Sequence, residues 1–265
     1  MGKTIVITSG KGGVGKTTTT ANIGAALAML NKRVVLIDAD IGLRNLDMIL
    51  GLENRIVYDI VEVAEGKAEL KKALIKDKKF NDNLYLLPAS QTRDKSALSP
   101  QQMVDICSQL KEEFDYVLID CPAGIEQGFI NATAAAEQAI IVTNPELSSV
   151  RDADRVVGLL ESRGFDKPLL IVNRVRPNMV KKGDMLDIVD VVEVLAIELL
   201  GFVPEEDKII SSTNRGIPVV LDHTSRAATA FKNIAQRING VKVPLMPFED
   251  DGLFKKMFKK IGMFK

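Results

Sequence analysis

Cysteine is scarce in this 265-residue chain, which has only Cys107 and Cys121. Two cysteines without a Cys-x-x-Cys spacing are too few for a disulfide framework, and they lack the pattern of a metal site. The chain also has no apolar run approaching the ~20 residues that a membrane-spanning helix requires. It does not open on a signal peptide, because the residues after Met1 enter a predicted strand at once. We therefore expect a cytoplasmic protein.

Net charge is absent as well, since 35 basic residues balance 35 acidic ones. This balance hides an asymmetry: residues 251–265 hold five lysines against Asp251, which leaves 30 basic and 34 acidic residues in 1–250. A mildly acidic body is poorly suited to general DNA binding, so no specific nucleic-acid partner is expected. The distribution suits a body that approaches an anionic surface with its basic tail first.

Short apolar runs alternate with longer amphipathic stretches along the chain. The runs are continuous rather than alternating, which is typical of strands covered on both faces. They predict strands at 4–8, 34–38, 84–88, 116–120, 139–143, 169–173 and 200–203. Helices are predicted between them, among others at 16–30, 100–113, 150–163 and 225–238. Strands separated by helices predict an α/β fold with a single doubly wound, mostly parallel sheet and helices on both faces.

The end of the chain divides into two further segments after a predicted domain of residues 1–240. Residues 241–251 contain Pro244 and Pro247 and end in three acidic residues, which is typical of a linker. Residues 252–265 follow as a predicted helix.

A phosphate-binding motif occupies the loop that follows the first predicted strand. Residues 10–17 read Gly-Lys-Gly-Gly-Val-Gly-Lys-Thr, a full match to the P-loop pattern, between a predicted strand and a predicted helix. The glycines let backbone N–H groups approach phosphate, and the helix adds its positive end. Lys16 would neutralise the β- and γ-phosphates of ATP, and the Thr17 hydroxyl would bind Mg²⁺. The nucleotide-binding residues predicted here are Gly10, Lys11, Gly12, Gly13, Val14, Gly15, Lys16, Thr17 and Thr18.

Aspartates end two of the predicted strands. Asp120 closes 116–120 and fits a residue that holds Mg²⁺ through water, while Asp38 and Asp40 follow another strand at the same carboxyl edge. Each aspartate alone could be a strand-end cap, but the P-loop beside them favours chemistry. We predict Thr17, Asp38 and Asp120 at the metal, with Asp38 in a supporting place.

The stretch Lys-Gly-Gly-Val-Gly-Lys-Thr-Thr from Lys11 resembles the deviant Walker A (MinD/ParA) family of ATPases, which includes the Min, Par, nitrogenase iron-protein and arsenite-pump enzymes. Segments 38–47, 87–95, 120–126 and 143–152 resemble its cell-division branch, so the resemblance covers almost the whole chain. It implies an ATP-dependent homodimer in which Lys11 reaches the partner subunit's nucleotide and Asp40 orients the attacking water. The catalytic residues would then be Lys11, Lys16 and Asp40. A solvated loop charge remains the other reading of Lys11.

Other site residues come from the resemblance alone. It implies that Asn45 and Asp152 lie near the dimer surface where regulators dock. Those regulators would be a division inhibitor and a topological specificity factor that stimulates hydrolysis. It also implies adenine contacts for residues after two late strands, Asn173, Arg174, Pro204 and Glu205, with ordinary loop polarity as the other reading.

The last fourteen residues have two unlike faces when placed on a helix. The apolar residues fall within an arc of roughly 140°, and they are Leu253, Phe254, Met257, Phe258, Ile261 and Phe264. The opposite side carries Lys255, Lys256, Lys259 and Lys260. Such a helix is about 22 Å long and cannot span a bilayer, so we expect it in the interface of a membrane with anionic lipids. A terminal helix packed on the body, or one bound in a partner's groove, remains open.

The expected function is therefore an Mg²⁺-dependent ATPase that acts as a switch on the cytoplasmic face of the cell membrane. It would dimerise with ATP, recruit a division inhibitor to place the septum, and leave the membrane after hydrolysis. A Par-type DNA-binding ATPase would need a basic body, and an iron–sulfur carrier would need paired cysteines. A bacterial tyrosine kinase with this kind of P-loop would carry a tyrosine-rich tail, which this chain lacks.

Overall fold

A computed structural model of the chain describes residues 1–247. The amphipathic segment predicted at 252–265, with its membrane-facing residues, lies outside the described residues, and so does the end of the predicted linker. Within the described part, no helix has the length and apolar character needed to cross a bilayer.

The strands lie close to the positions that the apolar runs predict. They are β1 (Lys3–Thr8), β2 (Val34–Asp38), β3 (Ile75–Asp77), β4 (Leu84–Leu87), β5 (Tyr116–Asp120), β6 (Gln138–Thr143), β7 (Leu169–Val175) and β8 (Glu198–Pro204). Almost every residue of β1, β2, β5 and β6 is buried, as expected for strands covered on both faces.

Helices connect the strands. They are α1 (Lys16–Met29), α2 (Leu46–Leu50), α3 (Ile60–Ala64), α4 (Leu70–Ala73), α5 (Pro100–Glu113), α6 (Gln127–Ala134), α7 (Leu147–Ser162), α8 (Pro177–Lys182), α9 (Ile188–Leu195), α10 (Asp207–Asn214) and α11 (Arg226–Ile238). Helix α5 matches its prediction because Ser99 and Gln102 form a capping box and Pro100 occupies the first turn.

The described strands form one sheet in the order β3-β4-β2-β5-β1-β6-β7-β8. All neighbours pair in parallel except β3 and β4, which pair antiparallel at the edge. One apolar core lies between the sheet and helices that include α1 and α11, and a second lies against α5, α6, α7 and α9. The predicted doubly wound, mostly parallel fold is confirmed.

This topology decides where a ligand can bind. Strand β1 is central: strands β2 to β5 lie on one side of it and strands β6 to β8 on the other. The order in which strands are added to the sheet therefore reverses direction at β1. Ligands of open α/β sheets bind beyond the carboxyl ends of the strands at such a switch point. The P-loop follows β1 directly and therefore stands at this place.

Candidate nucleotide site

The P-loop joins β1 to α1, and its glycines differ in their surroundings. Gly13 and Gly15 both have positive φ, at 77° and 97°. A Cβ on Gly15 would lie 2.3 Å from Asn173 Nδ2, whereas one on Gly13 would have nothing within 4 Å. The loop is thus tightly packed where it enters the helix and open at Gly13, which leaves room beside its backbone.

The two lysines of the loop lie in opposite environments. Lys16 begins α1 and is only 7% exposed, whereas Lys11 is exposed. Lys11 Nζ donates to Ser148 Oγ at 3.1 Å, at the start of α7. One lysine is therefore enclosed with the loop, and the other stands at the surface of the same edge.

Asp120 meets the P-loop helix through two hydroxyls. Thr20 Oγ1 donates to Asp120 Oδ1 at 3.1 Å, and the Thr17 side chain also hydrogen-bonds to this carboxylate. Burial, with a further contribution from Asp38, raises the pKa of Asp120 to about 7. The site thus holds a carboxylate whose charge is disfavoured until a cation approaches it.

Asp38 lies opposite Asp120 across neighbouring strands and holds the segment that follows β2. Its Oδ1 accepts from the Asp40 backbone N–H at 3.0 Å, and its Oδ2 accepts from those of Asn45 and Leu46 at 3.1 Å each. Burial nevertheless raises the pKa of Asp38 to about 6. With both oxygens already taken by backbone donors, Asp38 organises the 38–46 loop.

Asp40 has a carboxylate oxygen whose hydrogen-bonding capacity is not used within the described residues. Its Oδ1 is buried and has no hydrogen-bond partner among the described residues. Burial raises the pKa of Asp40, while the charges of Lys95 and Lys16 lower it. A buried acceptor without a donor is costly, so this atom is suited to bind a water or substrate group.

The residues predicted to contact the adenine base do not all line the same cavity. Asn173 is buried, and its Nδ2 donates to the Val14 carbonyl at 2.8 Å, so it contacts the phosphate loop. Exposed Arg174 and Glu205 line a cavity of about 750 Å³, while Pro204 is buried at the end of β8. Glu205 also pairs with Arg176 at this cavity.

The two residues expected at the partner surface lie beside the site rather than in it. Asn45 precedes α2 and is tied to Asp38 through its backbone. Asp152 lies on α7, and its backbone comes so close to Gly10 that a Cβ there would be 2.1 Å from the Asp152 carbonyl oxygen. Both positions are thus in contact with segments that surround the P-loop.

Sequence reasoning missed three residues of this arrangement: Thr20, Ser148 and Arg176. The sequence could have indicated Thr20, because this residue follows Lys16 by four positions and therefore lies on the same face of α1. Ser148 and Arg176 come near the site only through long-range contacts, and no local spacing indicates them.

The two cysteines are enclosed in the core. Cys107 is 2% and Cys121 1% exposed, and burial raises the pKa of both thiols to about 12. Neutral, buried thiols are poor metal ligands and poor nucleophiles. Cys121 is therefore a packed residue next to Asp120.

Comparison with known proteins supports the fold and identifies the family. A family model described as an AAA domain matches residues 2–162. The septum site-determining protein MinD of Bacillus subtilis is 56% identical over 265 residues, covering all of this chain and 98% of that protein.

Solved structures agree with this. The MinC:MinD cell division protein complex of Aquifex aeolicus superposes with a TM-score of 0.86 at 52% identity, covering 93% of this chain and 99% of the other. MinD complexed with Mg-ADP from Pyrococcus horikoshii gives a TM-score of 0.82 at 33% identity, over 90% and 96% of the two chains. The chain belongs to the family of septum site-determining MinD ATPases.

Proposed function

We propose that this protein is an ATP-driven switch that places the division septum. In this account it dimerises with ATP, binds the cytoplasmic face of the cell membrane as a peripheral protein, and recruits a division inhibitor. Hydrolysis of ATP returns it to a monomer that leaves the membrane. ATP hydrolysis is the activity of its family, and the steps linked to hydrolysis are what we add.

The P-loop would hold the phosphates of ATP. Backbone N–H groups from Gly10 to Thr18, together with the positive end of α1, which begins at Lys16, would donate to the phosphate chain. Enclosed Lys16 would neutralise the β- and γ-phosphates. Arg174 and Glu205 would flank the base from the cavity that they line, and Asn173 would hold the loop through Val14 rather than read the base.

The residues around Asp120 fit Mg²⁺. This ion takes oxygen ligands, keeps several waters, and is commonly held by one or two protein oxygens together with phosphates. Thr17 and Asp120 offer such oxygens in mutual contact. Within residues 1–247 no group of three or more His, Cys, Asp and Glu could cage a metal unaided, so the ion would share the substrate's phosphates. Bound there, Mg²⁺ would neutralise charge that develops on the phosphate oxygens.

Asp40 would position the water that attacks the γ-phosphate. Its buried Oδ1 has an unused lone pair, and Asp38 fixes the backbone of Asp40 through a hydrogen bond. A carboxylate placed in this way can accept a hydrogen bond from water and orient it. Burial raises the pKa of Asp40, and the nearby charges of Lys95 and Lys16 oppose that rise.

The contrast between the two loop lysines is the observation that carries the dimer proposal. Lys16 already serves the enclosed site, so exposed Lys11 is available to a second subunit. The segments that follow β2, β5 and β6, at the same edge of the sheet, expose large apolar side chains, with Leu43 at 63%, Ile125 at 43% and Leu147 at 76%. Apolar residues next to a charged anchor are typical of a face that associates.

The partners follow from the family and from the tail. The Aquifex relative forms a complex with MinC, which supports a MinC-like division inhibitor as the recruited protein. A MinE-like topological factor that speeds hydrolysis is the further partner that we propose. The segment 252–265 would bind anionic lipid, with each lysine adding ~1 kcal/mol near the surface. One such helix binds reversibly, whereas two on a dimer gain about 10²–10⁴ in avidity.

Light scattering on the purified protein tests this proposal. With ATP, the mass should double relative to ADP or no nucleotide, and Lys11→Ala should remain a monomer although it still binds ATP. The proposal fails if the wild-type mass is the same with ATP and ADP. It also fails if Lys11→Ala dimerises as well as the wild type.

A further inference from the structure

Arg237, near the end of α11, binds the chain segment that leads to the tail. Its guanidinium donates from Nε to the Val243 carbonyl at 2.9 Å and from Nη2 to the Pro244 carbonyl at 2.8 Å. Its Nη1 donates to the Leu200 carbonyl at 2.9 Å. One planar side chain thus ties residues 241–247, which we name the strap, to strand β8.

The Leu200 carbonyl on β8 can accept from Arg237 because the pairing of β8 with β7 is irregular at this residue. Leu199 pairs with Leu170 and Gly201 pairs with Ile171, so Leu200 is an extra residue in the ladder between β7 and β8. An extra residue of this kind is left without a ladder partner. Its carbonyl therefore needs a donor, and Arg237 supplies it.

The neighbouring strand residue makes room for the guanidinium. A Cβ on Gly201 would lie 3.1 Å from Arg237 Nη1 and 2.6 Å from Ile234 Cγ1. The bulge at Leu200 and the glycine after it thus form a seat that fits Arg237. The extra residue Leu200 provides the acceptor for Arg237, and Gly201 provides the space for its guanidinium.

The rest of the strap is also fixed to the body. Gly240, with φ of 82°, ends α11 and reverses the chain. Leu245 and Met246 pack against the apolar cores, and Arg226 Nη2 donates to the Pro247 carbonyl at 3.1 Å. The Arg226 bond to the strap is exposed, whereas Arg237 makes three hydrogen bonds of which two are partly buried, so Arg237 is the main polar attachment of the strap.

We propose that Arg237 is a positioning residue that sets how far the lipid-binding helix can move from the body. The inference rests on the proposed function, because it concerns the same tail. With the strap attached, four residues, 248–251, separate Pro247 from the predicted helix at Gly252. With the strap released, the connection lengthens to the eleven residues 241–251.

Connection length changes how well two tails cooperate on one dimer. The effective concentration of the second tail falls roughly as the −3/2 power of length beyond the optimum, so this change lowers it about 3- to 6-fold. Arg237 therefore strengthens membrane binding without touching lipid or nucleotide.

Co-sedimentation of the full-length protein with vesicles of phosphatidylglycerol and phosphatidylcholine, in the presence of ATP, tests the inference. The variants are Arg237→Gln, Lys242→Gln and a seven-residue Gly/Ser insertion after Pro247. Lys242→Gln removes a positive charge from the same strap and serves as the matched control. The insertion lengthens the connection while Arg237 stays in place. Solution ATP hydrolysis and the melting temperature are measured on each.

Arg237→Gln and the insertion should each raise the lipid concentration for half-maximal binding about 3- to 6-fold, with Lys242→Gln changing it less than about 2-fold. Combined with the insertion, Arg237→Gln should add only about a further 2-fold, because the connection is already long. Hydrolysis in solution should be unchanged. Wild-type binding by Arg237→Gln, an insertion without effect, or effects that multiply in full would each overturn the inference.

A deletion of residues 252–265 separates this inference from the proposed function. If the deleted protein still sediments with ATP, the tail is not the membrane element and the proposed function fails. If deletion abolishes sedimentation while Arg237→Gln binds normally, only the role of Arg237 is wrong. Should Arg237→Gln melt early, Arg237→Lys, which keeps the charge but lacks the planar fork, takes its place in the same comparison with the insertion.

Discussion

Lys11 Nζ lies 3.1 Å from the Ser148 hydroxyl of its own chain. The lysine proposed to serve a partner subunit is thus held at the surface by an exposed hydrogen bond. Because this hydrogen bond is exposed to water, its net contribution is small, and a nucleotide phosphate can displace it. The contact keeps Lys11 near the proposed dimer face without fixing it there.

Action of Lys11 across the dimer predicts complementation between two inactive variants. Lys11→Ala and Lys16→Ala should each lose ATP hydrolysis on their own. A mixed dimer would contain one complete site, formed by Lys16 of the first variant and Lys11 of the second. We expect the mixture to regain a substantial part of wild-type hydrolysis, measured by phosphate release. Hydrolysis no higher than the sum of the two separate variants would argue against action in trans.

Ser148→Ala provides a contrast on the same contact. It frees Lys11 without removing its charge, so ATP-dependent dimerisation should change by less than about 10-fold. Loss of the dimer as complete as in Lys11→Ala would mean that Ser148 itself is essential.

Asp40→Asn should slow hydrolysis by at least about 10²-fold while ATP binding is retained. The amide keeps the size of the side chain and the backbone contact to Asp38, but it lacks the carboxylate charge that orients water. Single-turnover hydrolysis and ATP affinity measured on the same sample separate the two effects. Equal losses of affinity and rate would instead indicate that Asp40 holds the nucleotide or the loop.

The stability of the nucleotide-free protein should depend on pH through the buried carboxylates. The pKa values of Asp38 and Asp120 lie at about 6 and about 7 in the folded protein, above the ordinary 3.8. The folded state therefore binds more protons than the unfolded one, and the stability from these groups, complete below about pH 4, is lost as pH rises towards 7. Asp120→Asn cannot ionise, so its free energy of unfolding should fall less between pH 5 and 8. Denaturant unfolding at these pH values tests this, and parallel curves for the two proteins would contradict it.

Two glycine substitutions in the P-loop should differ in cost. Gly13→Ala meets an unfavourable positive φ but open space, and it should lower the free energy of unfolding by roughly 1–2 kcal/mol. Gly15→Ala adds a clash with Asn173 Nδ2, so its cost should reach about 2–5 kcal/mol. Urea unfolding without nucleotide compares them, and equal costs would show that Asn173 moves aside freely.

Much of the fold could be predicted because buried parallel strands leave continuous apolar runs. Strand β3 was missed because Ile75–Asp77 is only three residues long and pairs antiparallel at the sheet edge. Helix α7 begins at Leu147, three residues before its predicted start at Val150. Leu147 is 76% exposed, so the first turn of the helix does not carry the apolar pattern.

Some residues of the site could be predicted from local sequence spacing, whereas others come together only through long-range contacts. Lys16 and Thr17 are fixed by the P-loop spacing, and Asp120 by its place at a strand end. The contact of Asn173 with Val14 joins residues 159 positions apart, and only folding brings them together. The environment of Lys11 likewise depends on Ser148, 137 positions away.

The most direct test of the account is co-sedimentation with anionic liposomes, comparing ATP, ADP and no nucleotide for the full-length protein and for a deletion of residues 252–265. The account predicts that the full-length protein sediments with ATP, that it stays in solution with ADP, and that the deletion abolishes binding. Equal sedimentation with ATP and ADP would contradict it, because the tail would then be a constant anchor and the nucleotide site would not control attachment.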